Sequence, residues 1–306
     1  MSAKPEFPPP FRIGLMITEK CDAACAHCWF DCAPTKGATM SKYDAQTYVN
    51  EASRISSIEW ISLTGGEPML HVDLVEDIVA YASDQGIKTE LVTNCSWAAT
   101  PKKAFDLLRR LSDAGLKVLN ISVDDFHQAT IPFERVKISY EAAKILGIRI
   151  VVMTALSKSG SLRLADVSRL LGEEIPSPRE AVTLEHAAIG IESGFTPVGR
   201  GATISRSEWY IDGSPLTGGC GAVLRDLGVR PSGEVLPCCS ASATLRGFEL
   251  GNLDNQSLRG MLEDAWDRDV FKVLSEKGPM GLLKTQPQDV YVNKCHLCYE
   301  TLKELQ

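Results

Sequence analysis

Three cysteines lie close together near the start of the chain. Cys21, Cys25 and Cys28 have the spacing C-x3-C-x2-C. Cubane iron–sulfur clusters usually take four cysteine ligands, so three thiolates on one loop can bind three irons of a four-iron cluster and leave one iron open to a small molecule. A zinc site is the alternative, although zinc motifs usually contain paired C-x2-C units. We therefore predict that these three cysteines hold a catalytic iron–sulfur cluster.

Residues suited to binding a small ligand follow at the ends of predicted strands. Gly65 and Gly66 would let the backbone approach a ligand closely, and Glu67 offers a carboxylate to an ammonium group. Polar side chains at the next two strand ends are Asn94, Ser122 and Asp124. Each feature alone is a weak signal, because such residues are common in loops. Their order after the cysteine motif predicts one shared ligand site.

Together these motifs resemble the radical SAM superfamily. In that superfamily S-adenosyl-L-methionine (SAM) binds the open iron of a [4Fe–4S] cluster, and an electron from the cluster splits it to a 5′-deoxyadenosyl radical. The resemblance implies that Gly65, Gly66 and Glu67 bind the methionine amine. It also implies that Asn94, Ser122 and Asp124 are further SAM contacts.

The elements that must position these residues alternate along the chain. Apolar strands are predicted over residues 11–18, 59–64, 88–93, 117–123, 148–155 and 181–186. Amphipathic helical stretches lie between them, at residues 73–84, 101–114, 133–146 and 162–171. Such alternation predicts an α/β fold with a parallel sheet and outer helices. Right-handed crossovers would curl six units into a partial (β/α)6 TIM-like barrel, with its chemistry at the C-terminal strand ends.

Composition agrees with a globular enzyme. The chain has 306 residues, a hydrophobic content of 44% and a net charge of −7. No apolar run approaches the roughly eighteen residues of a membrane span, and residues 1–10 lack the apolar segment of a signal peptide, so a cytoplasmic protein is predicted. Nucleic acid is a poor candidate partner, because clusters of Lys and Arg are missing. Ten cysteines in such a chain favour metal ligands or reactive thiols over disulfides.

The organisation changes after the sixth predicted strand. Residues 190–219 are rich in Gly, Ser, Thr and Pro and predict a long irregular connection, which could serve as a lid or binding loop. Two short strands, 224–229 and 234–236, then flank a turn, and a helical stretch covers 257–276. We predict a barrel domain over residues 1–195 and a second domain over residues 196–306.

Four more cysteines belong to the second predicted domain: Cys220, Cys238, Cys295 and Cys298. A β-hairpin with a returning C-x2-C pair can enclose a second cluster compactly. This arrangement resembles the twitch domain, the short form of the SPASM extension of radical SAM enzymes. The resemblance implies a second, fully ligated [4Fe–4S] cluster with a role in electron transfer or structure. Zinc would satisfy the same four thiolates and stays an open alternative.

Three cysteines remain. Cys32 is interpreted as a small buried hydrophobic residue. Cys95 follows Asn94 directly and could face a reaction chamber. Cys239 adjoins a predicted cluster ligand at the interface between hairpin and barrel, where its thiol could donate a hydrogen atom to a substrate radical. In the alternative, Cys239 is the ligand and Cys238 is the spare thiol.

Over most of its length the chain resembles a narrower group, the radical SAM peptide epimerases of the epipeptide type. The motifs that carry this resemblance lie at residues 21–40, 61–67, 93–97, 122–127 and 233–240. In that family a SAM-derived radical removes a peptide Cα hydrogen, and the second cysteine of the adjacent pair returns one from the opposite face. The resemblance maps this donor onto Cys239 and places an assisting acidic residue, thirteen positions earlier, at Asp226.

The chain also departs from that family in two places. Cys95 stands where Gly usually follows Thr-Asn, and two extra residues separate Cys220 from Cys238. The second spacing resembles that of aminocyclitol dehydrogenases with a twitch domain. The substrate class is therefore left open by these two positions.

The resemblance implies an enzyme that epimerises L- to D-residues in a ribosomal precursor peptide, with an electron donor such as flavodoxin or ferredoxin. One alternative is a radical SAM dehydrogenase, or a maturase that forms thioether or C–C cross-links. A non-catalytic iron–sulfur or zinc scaffold would leave Glu67, Asn94 and Asp124 unexplained. No leader-recognition domain is expected before the first strand, so the barrel mouth and residues 190–219 would have to hold a peptide.

Overall fold

The computed structural model describes residues 9–35, 37–178, 180, 187–284 and 289–306. Six parallel strands form the barrel wall: β1 (Arg12–Thr18), β2 (Trp60–Gly65), β3 (Lys88–Thr93), β4 (Val118–Ser122), β5 (Arg149–Leu156) and β6 (Ala188–Gly194). They are neighbours in chain order, and β6 lies at the edge of the sheet. Among the described residues β6 does not pair with β1, so the six strands do not close on themselves, which confirms the predicted partial barrel.

Helices follow the strands, and the longer ones cover the outside of the wall. They are α1 (Lys42–Ser53), α2 (Val72–Asp84), α3 (Pro101–Ala114), α4 (Asp125–Gln128), α5 (Phe133–Ile145) and α6 (Leu164–Leu171). Helix α3 shows why they begin where they do: the Thr100 side chain accepts a hydrogen bond from the Lys103 amide, and Pro101 occupies the first turn. The predicted helices are found within two residues of their expected ends.

The two faces of the barrel strands differ because successive side chains alternate across a strand. Leu15, Leu63 and Leu91 point outward and are fully buried beneath the helices, in the main core. The inner face is open and carries side chains of mixed polarity. Two of its apolar side chains, Met153 and Ile191, are 38% and 39% exposed. The inner face is thus accessible to a ligand, whereas the outer face is packed.

Two sequence predictions differ from the structure, and one of them falls in part outside the described residues. The strand predicted over residues 181–186 falls outside the described residues, and the sixth strand observed is β6, so residues 190–194 are strand and not connection. The helical stretch predicted over 257–276 is two helices, α7 (Leu258–Trp266) and α8 (Asp269–Lys277). They separate at Arg268, which has extended backbone and donates a hydrogen bond to the Glu249 carbonyl.

The C-terminal region continues the barrel sheet. Strands β7 (Asp226–Val229) and β8 (Glu234–Leu236) form the predicted hairpin, and β9 (Gly251–Asn252) adds a short third strand. Strand β7 also pairs in parallel with β1, which the sequence did not predict. A second small core includes Leu224, Phe271 and Leu302, the last of these on helix α9 (Lys294–Lys303). Among the described residues, no helix is both long and apolar enough to cross a membrane.

Candidate active site

The cysteine motif lies in the loop that follows β1, at the C-terminal edge of the barrel. Cys21 and Cys25 are buried and Cys28 is partly exposed; they group with Ala23 and Cys32 in a small apolar cluster. The Cys28 amide donates to the Cys25 carbonyl oxygen at 3.1 Å, which turns the loop tightly. The structure thus brings the three predicted ligands to one compact loop.

The loop after β2 packs directly against the start of this cysteine loop. The Gly66 amide donates to the Thr18 carbonyl at 2.7 Å, and the Glu67 amide donates to the Lys20 carbonyl at 2.8 Å. A Cβ atom at Gly65 or Gly66 would collide with those same carbonyl oxygens, and Gly65 has a φ of +129°. Glycine is therefore required here so that the two loops can approach this closely.

Glu67 is buried at the centre of the strand ends. Its carboxylate accepts hydrogen bonds from the Met69 amide at 3.0 Å, the Thr93 hydroxyl at 2.8 Å and the Asn94 amide at 2.9 Å. Burial raises the pKa of Glu67 to about 7, although these three donors lower it. Since a carboxylate offers about four lone-pair positions, one acceptor position is left for a ligand.

Asn94 and Ser122 also lie where the sequence places them. The Asn94 side-chain amide donates to Asp22 at 3.0 Å and approaches the Cys21 sulfur at 3.7 Å, so it touches the cysteine loop. Ser122 is the last residue of β4, partly exposed on the inner face opposite Met153 of β5. Both side chains are thus at the same edge of the sheet as the three cysteines.

The Asp124 carboxylate accepts more hydrogen bonds from the protein itself than expected for a side chain that contacts a ligand. Its carboxylate accepts the amide and the ring Nδ1–H of His127, both at 2.9 Å, and the Ala155 amide at 3.2 Å. Although burial lowers it, the pKa of His127 is raised to about 10 by the Asp124 charge, by their hydrogen bond and by a hydrogen bond to Cys25. The Asp124 carboxylate thus fixes the position of the His127 ring beside the cysteine loop.

His27, between two of the cysteines, completes this group and was missed by the sequence analysis. Its ring stacks on Phe126 at 4.5 Å, and its ligating atom lies within 4.8 Å of those of Asp124 and His127. Burial lowers the pKa of His27 to about 4, so the ring is neutral. Its Nδ1 atom is buried without a hydrogen-bond partner among the described residues. The only sequence signal for His27 as a site residue is its position between Cys25 and Cys28.

The four C-terminal cysteines form a second thiol group. Burial raises the pKa of Cys238 well above its usual value, and the charges of three neighbouring thiols raise it further, those of Cys298, Cys295 and Cys220. Ser240 hydrogen-bonds the Cys238 sulfur at 3.0 Å. Cys220 and Cys298 pack against the second core. The hairpin and the N-terminal end of α9 therefore bring together all four predicted ligands.

Cys239 lies apart from that group, on the inner face of the barrel. A Cβ atom at Gly14 of β1 would lie 2.7 Å from the Cys239 sulfur, so the thiol occupies the space of a missing side chain at position 14. The Cys239 amide donates to the Asp226 carbonyl at 2.7 Å. Burial and the Asp226 charge raise the pKa of Cys239 to about 12, while Arg12 lowers it. The structure thus separates the two adjacent cysteines.

The other two cysteines do not face this inner chamber. Cys95 is fully buried in the main core with a φ of 66°, the left-handed region that favours glycine. Cys32 is buried as predicted, and the hydrogen bond between its thiol and Cys28 lowers the pKa of Cys28.

Two family models match the chain: the radical SAM superfamily over residues 15–158, and the SPASM iron–sulfur cluster-binding domain over residues 220–299. The chain therefore carries a radical SAM domain and a SPASM-type C-terminal domain. The predicted cofactors, SAM and two [4Fe–4S] clusters, are confirmed by these two domains, which favour iron–sulfur over zinc at the second site. The predicted boundary at residues 195–196 stays a prediction.

Two relatives and one solved structure show how far the similarity extends. YydG of Bacillus subtilis (strain 168), named for peptide biosynthesis, is 22% identical over 94% of this chain and 88% of its own. The PqqA peptide cyclase of Xanthomonas axonopodis pv. citri (strain 306) is 25% identical over 85% of this chain and 75% of its own. BtrN, solved with SAM and 2-DOIA, has a TM-score of 0.55 at 17% identity, covering 94% of this chain and 100% of BtrN. The last similarity shows a shared fold.

The described residues fit the cofactors of these domains. Three thiols on one loop and four thiols in a second group match one open and one closed iron–sulfur site. The Glu67 carboxylate, with one acceptor position left, and the orphaned Nδ1 of His27 lie next to the three-thiol loop, where a small polar ligand would find both charge and hydrogen-bonding groups. The donor chemistry is therefore consistent with SAM at this edge of the barrel.

Proposed function

We propose that the protein epimerises residues of a ribosomal precursor peptide, with Cys239 as the hydrogen-atom donor. The position of the Cys239 thiol carries this proposal: it lies on the inner wall beside Gly14, away from the four clustered thiols. The inner face is the open face, and the predicted SAM contacts lie at its C-terminal edge. A substrate between them would meet the cofactor on one side and a thiol on the other.

For the cofactors we propose the residues that the sequence predicted. Cys21, Cys25 and Cys28 would hold the first cluster, and Cys220, Cys238, Cys295 and Cys298 the second. Gly65, Gly66, Glu67, Asn94 and Ser122 would contact SAM, and Asp124 would act mainly by orienting His127. When bound, SAM with its cluster supplies the removal of a hydrogen atom from substrate carbon.

Hydrogen return is the step assigned to this chain's own residues. The S–H bond of Cys239 breaks as the new Cα–H bond forms, which leaves the unpaired electron on sulfur. A donor of this kind must carry its proton, and a pKa of about 12 keeps the Cys239 thiol protonated at neutral pH. Restoring the thiol then takes one proton and one electron, the latter from a low-potential donor such as flavodoxin or ferredoxin.

Asp226 is the residue that fixes the thiol. Its backbone carbonyl accepts the Cys239 amide, while its carboxylate is held by the Arg12 guanidinium, with Nε to Oδ1 at 2.8 Å. We propose that this carboxylate, the acidic group nearest the thiol on β7, also returns the proton after each turnover. Asp226 would thus position and reprotonate the Cys239 thiol, and would not itself donate a hydrogen atom to the substrate.

Similarity to YydG and to the PqqA peptide cyclase supports a peptide as substrate. The chain would need to hold the reacting Cα in place before hydrogen removal and to keep solvent out. The inner face between the predicted SAM contacts and Cys239 is the region available for this.

The experiment uses reduced, reconstituted enzyme with SAM in deuterated water, supplied with randomised short peptides and with any short peptide found to be encoded beside the gene. Hydrolysis and chiral chromatography with mass detection then identify D-residues. We expect D-residues that carry one deuterium at Cα, because the Cys239 hydrogen exchanges with solvent. Peptide that loses hydrogen and yields no D-residue would contradict epimerisation.

The cyclase similarity supports one second candidate, a maturase that oxidises or cross-links its peptide. Such an enzyme returns no hydrogen, so Cys239 would have no catalytic role. The two candidates differ in one measurable quantity, the mass of the product. Cross-linking removes hydrogen from the peptide, whereas epimerisation in deuterated water adds one mass unit.

A further inference from the structure

Arg200 lies in the connection after β6, within a short 3-10 turn (Gly199–Thr203). Its guanidinium reaches the cysteine loop with three groups: Nε donates to the Cys25 carbonyl at 3.0 Å, and the two Nη atoms donate to the Cys32 carbonyl at 2.8 Å and the Asp31 carboxylate at 2.7 Å. The Arg200 backbone amide adds a fourth bond, to the Cys28 carbonyl at 3.1 Å. One residue thus binds the loop at four points.

The glycines on both sides of Arg200 let the two backbones meet. Gly199 has a φ of +60°, and a Cβ atom there would collide with the Trp29 carbonyl oxygen. At Gly201 a Cβ atom would lie 3.3 Å from the His27 carbonyl oxygen. A larger residue at Gly199 would therefore push this turn away from the cysteine loop.

The acceptors explain why an arginine is suited to this place. The Cys25 carbonyl already accepts the Cys28 amide, so Arg200 Nε is its second donor. The Cys32 carbonyl lies in a loop without helix or strand, and the Arg200 guanidinium supplies it with a donor. The planar guanidinium presents five donors in a fixed fork, which lets it bind several acceptors at once. A lysine ammonium on its flexible stem cannot reproduce this geometry.

We propose that residues 199–201 form a clamp that positions the cysteine loop, with Arg200 as its positioning residue. This inference rests on the proposed assignment of Cys21, Cys25 and Cys28 as cluster ligands. Hydrogen bonds behind a metal's ligands fix their orientation, and their loss typically weakens metal binding roughly ten- to a hundredfold. The clamp belongs to the connection that leads to Cys220, so it also ties the C-terminal region to the first cluster.

The test compares three variants of the full, reconstituted chain: Arg200→Ala, Arg200→Lys and Arg206→Ala. Arg206 is a matched control, because it lies in the same connection but pairs with Asp289 at the surface, at 2.9 Å. The readouts are the rate of iron release to a chelator and the change in the electron paramagnetic resonance spectrum of the reduced protein when SAM is added. Neither depends on a substrate.

We expect Arg200→Ala to release the iron of one cluster roughly tenfold faster than wild type or more, and to lose the spectral change on SAM addition. Arg200→Lys should behave like Arg200→Ala, and Arg206→Ala like wild type. Iron release and spectra equal to wild type in Arg200→Ala would overturn the clamp.

Arg200→Gln serves as a second variant in case Arg200→Ala fails to fold. It keeps the polar contacts in part and should show intermediate iron release; wild-type release would again overturn the proposal. The ligand assignment is tested separately by replacing all three cysteines with alanine. If that variant keeps both clusters, the assignment itself fails, and this result is distinguishable from failure of the clamp.

Discussion

Arg12 and Asp226 are register partners on β1 and β7, and their side chains form an ion pair across the two strands. Arg12 also donates to Glu90 of β3 at 2.9 Å. The pair joins the first strand of the barrel to the first strand of the C-terminal hairpin. Because Cys239 is bonded through its amide to Asp226, the same pair fixes the thiol relative to the barrel wall.

The first prediction concerns this pair. Asp226→Asn should lower the free energy of unfolding by about 1.5–3 kcal/mol, the usual range for a hydrogen bond to a charged group, because Arg12 loses a charged partner. Denaturant unfolding measures this loss. Asp289→Asn is the control: it removes the charge from an exposed pair with Arg206, which solvent screens, and should leave stability close to that of wild type.

Turnover of Asp226→Asn tests its chemical role. If Asp226 returns the proton to Cys239, multiple turnover should slow more than the first turnover. Equal slowing of both phases would contradict proton return and leave Asp226 with a purely positioning role.

The second prediction separates a hydrogen donor from a cluster ligand. Cys239→Ala should keep the absorbance and iron of both clusters and still form 5′-deoxyadenosine with substrate, while the yield of D-residues falls. Cys238→Ala should instead lose the absorbance of the second cluster. The two cysteines are adjacent, so each variant is the control for the other.

If Cys239→Ala instead loses the absorbance of the second cluster and Cys238→Ala keeps it, Cys239 is the cluster ligand and Cys238 is the candidate donor. Full yield of D-residues from Cys239→Ala would remove the donor role altogether. The oxidising or cross-linking candidate would then be the better account of the enzyme.

The third prediction concerns iron content. Wild type should hold about eight irons per chain, as expected for two four-iron cubanes. Replacing Cys21, Cys25 and Cys28 together by alanine should leave about four irons and abolish SAM cleavage. Iron analysis with zinc measured on the same sample checks both numbers. Zinc at the C-terminal site of wild type would contradict the auxiliary cluster.

Much of the barrel and both cysteine groups could be predicted because their signals are local. The strands alternate with helices at regular intervals, and each group of site residues follows its own strand within a few positions. Cys21, Glu67 and Asn94 meet because parallel strands end at one edge. Such a site is readable as an ordered set of short motifs.

The missed features depend on contacts between distant parts of the chain. The hydrogen bond from Arg200 to Cys25 spans 175 positions, and the pairing of Arg12 with Asp226 spans 214. Neither has a periodic or local signature. The composition of residues 190–219 predicts an irregular connection, which is correct after β6 ends at Gly194. Composition carries no information on which residues that connection contacts.

The final prediction uses the buried carboxylate of Glu67, whose pKa is raised to about 7 in the free protein. If Glu67 binds the SAM ammonium as proposed, only its ionised form is competent. SAM affinity should therefore rise as pH increases through about 7, with a limiting slope near tenfold per pH unit below the pKa. Equilibrium dialysis of the reconstituted enzyme on both sides of pH 7 measures this.

Stability without SAM should change in the opposite direction. A pKa raised on folding contributes stability that is present below the ordinary pKa of a glutamate and is lost as pH rises through about 7. Glu67→Gln should remove both contributions, because glutamine does not titrate, and should weaken SAM binding at high pH by about 1.5–3 kcal/mol. Glu59→Gln, which alters an exposed partner of Lys88, is the control and should leave both pH profiles unchanged. A SAM affinity that is independent of pH in wild type, or equal in Glu67→Gln, would show that the carboxylate serves only to join the loops around it.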